Sequence, residues 1–151
     1  TNFTQKPRVF MRTFGHFDVF VGGVAVRFSS SKAKELLALL VDRQGGVVSM
    51  QQAISTLWPE RKYDDSVRSL YRNVLQSLRE ALQEAEISEV FVNSRNSRSV
   101  NITTFECDLY QLLDGKARGI TSFNGEYMVD YLWAEPTIEL IKEKIADKRA
   151  H

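Results

Sequence analysis

Apolar residues at the start of the chain come in short runs, at residues 8–14, 17–21 and 24–28, broken at Gly15-His16 and Gly22-Gly23. Short β-rich runs separated by turn residues predict a small antiparallel meander. The period then changes. Ala33, Leu36, Leu37 and Leu40 recur at helical spacing behind Ser29-Ser30-Ser31, which predicts a serine-capped helix over residues 32–43, stopped by Gly45-Gly46. Ser49 and Gln52 have the spacing of a capping box and open a second helix through Ala53, Ile54 and Leu57 to Trp58, ended by Pro59. Trp58 either packs between this helix and the next or stands on the surface as a contact residue. The connection Glu60-Arg61-Lys62-Tyr63 is short and polar, and Asp64 or Asp65 caps a third helix at its positive end.

The third helix is the most informative segment. At about 100° per residue, Val67, Leu70, Tyr71, Val74, Leu75, Leu78 and Leu82 fall within an arc of roughly 140°, which must face a core. Arg68, Arg72 and Arg79 cluster within about 40° of one another just beyond its edge, and Ser69, Asn73 and Gln76 continue around the outer face. Guanidinium and amide groups on one helix face suit phosphates and base edges. Residues 89–92 and 100–102 then alternate in the manner of strands, around a polar tip at 93–99 that carries Arg95 and Arg98 and no acid. Three strands, three helices and a basic hairpin make an α+β winged helix.

The 151 residues, 43% hydrophobic and 26% charged, suit an ordinary globular core. The net charge of +1 conceals a polarity: residues 1–79 hold 12 Lys and Arg against 6 Asp and Glu, and residues 80–151 hold 8 against 13. The basic part contains the arginine helix, an arrangement compatible with a nucleic-acid face and a separate partner surface. No apolar run approaches the roughly 20 residues of a membrane span, and the lone Cys107 fits a reducing cytoplasm. Enzyme chemistry finds no constellation. His16 reads as a turn residue, and Cys107, among apolar and acidic neighbours, reads as a packing residue. Glycine loops for nucleotides and metal-ligand spacings are absent from the sequence, so no cofactor and no metal are expected.

After the hairpin, residues 105–113 read as a short helix, followed by a glycine-containing link. The segment ends in a charged helix with Pro136 in its first turn and Ile138, Ile141 and Ile145 on one side. Its apolar residues, Tyr127, Tyr131 and Trp133 among them, either dock on the preceding domain or form a protein interface.

Four stretches, Met11-Arg12-Thr13-Phe14-Gly15, Lys32-Ala33-Lys34-Glu35-Leu36-Leu37-Ala38-Leu39-Leu40, Leu57-Trp58-Pro59 and Leu75-Gln76-Ser77-Leu78-Arg79, follow one another in a distinctive order. Over residues 8–103 they resemble OmpR-type winged-helix regulators, most closely the SARP-like transcriptional activators. The resemblance implies a cytoplasmic bacterial regulator that binds double-stranded DNA, an activator or the output domain of a two-component response regulator. It places Arg68, Ser69, Arg72, Asn73, Gln76, Ser77 and Arg79 on a major-groove recognition helix, and Arg95, Asn96, Ser97 and Arg98 at a wing on the flanking backbone or minor groove. It further implies RNA polymerase contact by the loop 59–64, a tandem homodimer on DNA, and either a receiver domain ahead of residue 1 or helical repeats beyond residue 151. Residues 104–151 resemble the start of a TPR-like bacterial transcriptional activator domain, and residues 1–7 form a tail. Gln76 and Ser77 depart from the family's basic positions, and the wing tip lacks its usual glycine. From the residues themselves, a module binding an acidic protein partner without DNA stands as the alternative.

Overall fold

The computed structural model describes residues 7–150, so the expected tail lies outside the described residues except for Pro7. Strand β1 (Val9–Arg12) pairs antiparallel with β2 (Asp18–Val21), and β2 with β3 (Val24–Ala25). Gly22 and Gly23 form the two-residue turn at φ 57° and 84°, the mirror-image turn geometry that matches strand twist and favours glycine. Val9 and Met11 point inward and Arg12 outward, as the strand period requires.

Helix α1 (Ser31–Asp42) starts at Ser30, whose hydroxyl accepts from the Ala33 amide. It is buried on nearly all sides: Ala38, Leu39 and Val41 are covered as fully as the expected Ala33, Leu36, Leu37 and Leu40. Its left-handed stop begins at Gln44, φ 58°, one residue ahead of the glycine pair. Strand β4 (Val48–Ser49), absent from the sequence reading, leads into α2 (Met50–Leu57), where both halves of the Ser49/Gln52 capping box form. Trp58 caps the end of α2 but is only half-buried, with the Lys32 ammonium 5.8 Å from its ring. Trp58 is thus partly exposed, packed against the core with Lys32 of α1 beside it.

Asp64 accepts from the Val67 amide at 3.0 Å and opens α3 (Asp65–Glu84). The wing is formed by β5 (Phe91–Asn93) and β6 (Ser97–Val100), and β4 adds to it in the order β4-β6-β5. The turn is tighter than expected. The Ser94 amide donates to the Ser97 carbonyl at 3.0 Å, so only Ser94, Arg95 and Asn96 form the tip, while Ser97 and Arg98 belong to a strand.

The segment expected as one helix over 105–113 begins instead as β7 (Glu106–Cys107), parallel to β1, giving the order β3-β2-β1-β7. Helix α4 (Asp108–Leu113) starts only at Asp108. The cause is the buried Asp108 carboxylate, which accepts from the Thr13 amide at 2.8 Å, the Thr13 hydroxyl at 2.6 Å and the Phe14 amide at 3.0 Å. These bonds hold the incoming chain extended alongside β1. The glycine-containing link holds α5 (Ala117–Ser122), and a Cβ on Gly119 would lie 2.2 Å from the Leu112 nitrogen, so α4 and α5 meet backbone to backbone.

Helix α6 (Glu135–Ala150) buries Ile141 and packs Ile138 and Ile145 against the common core. Of the two alternatives left open by the sequence, docking is the one observed: Tyr127 is buried, and Tyr131 and Trp133 stack on each other at 5.2 Å against that core.

Candidate nucleic-acid interface

The arginines that share one stripe of α3 differ in what they touch. Arg68 is half-buried, paired with the Asp65 carboxylate one turn earlier and lying 5.0 Å over the Tyr63 ring. That hydrogen bond holds the Asp65 carboxyl below its ordinary range and raises the Arg68 pKa. Arg79 lies 6.0 Å over the Phe91 ring, so it spans from α3 to the wing strand β5. Arg72 is exposed and forms no ion pair among the described residues, although the Asp65 carboxylate lies within electrostatic reach.

The polar side chains divide likewise. Ser69 and Asn73 are exposed on the outer face. Gln76 donates to Glu80 at 3.0 Å, one turn on, which biases its amide along the helix. Ser77 is half-buried against Ser29, the two hydroxyls 3.3 Å apart, and so joins α3 to the approach of α1.

On the wing, the Arg98 Nη1 donates to the carbonyls of Ser94 at 3.1 Å and Ser97 at 3.0 Å, bracing the turn from within. Arg95 and Asn96 stand at the exposed tip. The fold brings Arg72, Arg95, Asn96 and Arg98 together around one cleft of about 390 Å³, completed by Ser49, Met50 and Gln51 of the α2 start and by Tyr71 and Leu75 of α3. No acid lines it. Arg68 and Arg79 lie outside this cleft, on either side along the helix.

Tyr71 and the first turn of α2 were beyond the reach of the sequence reading as site residues. Tyr71 lies in the apolar arc, where periodicity makes it core, and it is 1% exposed. The one sequence signal was a hydroxyl at a position that aliphatic residues fill elsewhere along the arc. The α2 start could not be placed beside the wing because β4, which carries it there, is two residues long.

Elsewhere the reactive side chains have structural surroundings. Cys107 is buried and its thiol is pushed well above the usual range, first by burial and then by the Asp108 charge. His16, in the β1–β2 turn, lies 2.9 Å from the Asp130 carboxylate through Nδ1. Among the described residues, no cluster of three or more His, Cys, Asp or Glu side chains could hold a metal, and no helix is long and apolar enough to cross a membrane.

No family model matches the chain, and no curated protein matches its sequence. Among solved structures it is similar to Mycobacterium tuberculosis EmbR, in a complex of that protein with a low-affinity phosphopeptide, at a TM-score of 0.71 and 19% identity. The match covers 95% of this chain and 44% of that one, so the chain spans less than half the length of this neighbour. At that identity the likeness establishes a shared α+β winged-helix fold with its helical extension.

Proposed function

We propose that the chain is the DNA-binding part of a bacterial transcriptional regulator of the SARP-like type, reading the major groove with α3 and gripping the flanking backbone with the wing. The observation that carries the reading is the convergence of Arg72, Arg95 and Arg98 on a cleft without an acid, beside an outer helix face bearing Ser69, Asn73 and Gln76. Three guanidiniums facing one opening fit a polyanion, and exposed hydroxyl and amide groups next to them fit base edges. The likeness to EmbR supports a regulator at the level of fold. One winged helix spans few base pairs, so site selection uses two copies on direct-repeat half-sites roughly 10–11 base pairs apart. The exposed loop at 59–64 is the proposed surface for RNA polymerase.

Salt-dependent binding to duplex DNA tests the reading. Each phosphate contact contributes a slope of about −0.9 to the log–log plot, so Arg95→Ala should reduce the slope by about one unit without discriminating between sequences. Arg72→Ala should do the same, and Arg68→Ala should do less because Asp65 already neutralises that charge. A folded chain whose duplex affinity is independent of salt would favour an acidic protein partner instead.

A further inference from the structure

Among the described residues, two buried side-chain polar atoms lack a hydrogen-bond partner, the Tyr71 hydroxyl and the Arg98 Nε. Both residues line the same cleft. Buried polar groups are nearly always paired, because an unmade hydrogen bond in a dry site costs free energy that water or a neighbour would otherwise recover. Both unpaired groups thus belong to residues that line one cleft. Tyr71 packs like a core residue, and phenylalanine at this position would fill the same space without the unpaired oxygen. The hydroxyl senses its neighbour: burial raises its pKa, and the Arg98 charge acts in the opposite direction.

The rest of the cleft is also rich in donors. The capping box takes the Ser49 and Gln52 amides, which leaves those of Met50 and Gln51, the other open donors of the first turn of α2, directed outward from the helix start. Arg72 and Arg95 contribute guanidiniums, which donate and cannot accept. Three guanidiniums and the helix-start amides, with no carboxylate in the lining, favour an oxyanion with several acceptor oxygens, and the positive end of α2 adds to that preference.

We propose that this cleft seats one backbone phosphate of duplex DNA, with the Tyr71 hydroxyl and Arg98 Nε as its innermost donors, so that a single phosphate ties α2, α3 and the wing together. Both atoms are covered by neighbouring side chains and backbone. Seating the phosphate therefore turns the Arg98 side chain toward the opening and uncovers them, exchanging its Nη1 bonds to the Ser94 and Ser97 carbonyls for bonds to the phosphate, while β6 keeps its pairing with β4 and β5. Tyr71 becomes a binding residue hidden in the core face of the recognition helix. The inference rests on the DNA-binding reading above and adds to it a specific phosphate and its ligands.

The test uses Tyr71→Phe in the full chain with a duplex that the wild-type chain selects from a random pool, resynthesised with one neutral methylphosphonate linkage at a time. Loss of a hydrogen bond to a charged group predicts about tenfold weaker binding of the unmodified duplex by Tyr71→Phe. At one linkage, neutralisation should weaken the wild type comparably and abolish the difference between wild type and variant. Arg98→Lys, which keeps the charge and removes Nε, should lose its dependence at that same linkage. The melting temperature of Tyr71→Phe should equal or exceed that of the wild type, a result that a merely structural hydroxyl would not give. Equal duplex affinities, additive losses at every linkage, or a variant that melts lower would overturn the phosphate site while leaving salt-dependent duplex binding intact. Failure of the wild-type chain to select or bind any duplex would remove the DNA reading itself, and this inference with it.

Discussion

Two polar regions flank the same core, and they are satisfied in opposite ways. Along the seam that α1 and the end of β1 form with the C-terminal segment, buried polar groups have partners: Asp42 accepts from the Tyr127 hydroxyl at 2.6 Å and the Thr137 hydroxyl at 2.7 Å. Glu35 accepts from the Trp133 indole at 2.9 Å, and the Tyr110 hydroxyl donates to the Val41 carbonyl at 2.6 Å. The backbone joins in, with the Met128 amide on the Thr13 carbonyl at 2.8 Å and the Gly15 amide on the Glu126 carbonyl at 2.9 Å. In the cleft between α2, α3 and the wing, by contrast, Tyr71 and Arg98 leave donors unmade. A seam whose groups complete one another is built to stay shut; the uncompleted donors of the cleft are the ones the proposed phosphate would satisfy. Charge alone would not separate them, since ion pairs such as Arg68 with Asp65 also occur beside the cleft.

The most damaging way to break the seam is at its anchor. Asp108→Ala strands the Thr13 and Phe14 amides, both bonded to its carboxylate, and frees β7 from the end of β1. With roughly 1–3 kcal/mol for each buried donor left unmade, the expected loss is about 3–5 kcal/mol, read by chemical denaturation. Binding should fall with the folded fraction and return under stabilising conditions. A variant as stable as the wild type would show that β7 is not needed to hold the segment in place.

A finer cut is Tyr127→Phe, which removes one of the two hydroxyls on Asp42 and leaves Thr137. It should cost about 1–2 kcal/mol and leave the salt slope of duplex binding unchanged. This is the mirror image of Tyr71→Phe, which is expected to spare stability and weaken binding. If both substitutions moved the same quantity, the distinction between seam and cleft would collapse.

The smallest effect belongs to the exposed edge of the seam, where Asp130 raises the His16 pKa chiefly through their hydrogen bond. A histidine raised above its unfolded value of about 6.5 contributes stability that is fully present below that pH and lost as pH rises through the folded pKa. The melting temperature of the wild type should therefore exceed that of His16→Gln slightly in mild acid, and the gap should close in mild alkali. A gap that widened with pH would reverse the assignment.

Much of the fold was legible in order and spacing. The Gly22-Gly23 turn, a cap within Ser29-Ser30-Ser31 that falls on Ser30, one at Asp64 or Asp65 that falls on Asp64, the Ser49/Gln52 capping box and the apolar arc of α3 are local, and each is specified by residues a few positions apart. The wing was legible as a hairpin, with its tip placed too wide because Ser97 and Arg98 have no apolar pattern to mark them as strand. Strands β4 and β7, each two residues long, carry no period at all. They exist because distant partners, β6 and β1, offer them an open edge.

The same division holds for the candidate site. The sequence by itself determined that Arg68, Arg72 and Arg79 share one face of a helix, because helical geometry alone sets that relation. The pairing of Arg68 with Asp65 and Tyr63 is likewise local, within five residues, whereas only tertiary structure decided that Arg79 lies against the wing and that Arg72 opens onto the cleft with Arg95 and Arg98. Likewise, periodicity put Tyr71 in the core, which is where its ring lies. Whether its hydroxyl would find a partner there depended on how β6 passes α3, a contact between residues far apart in the chain. Periodicity reports which way a side chain points; packing alone reports what it meets.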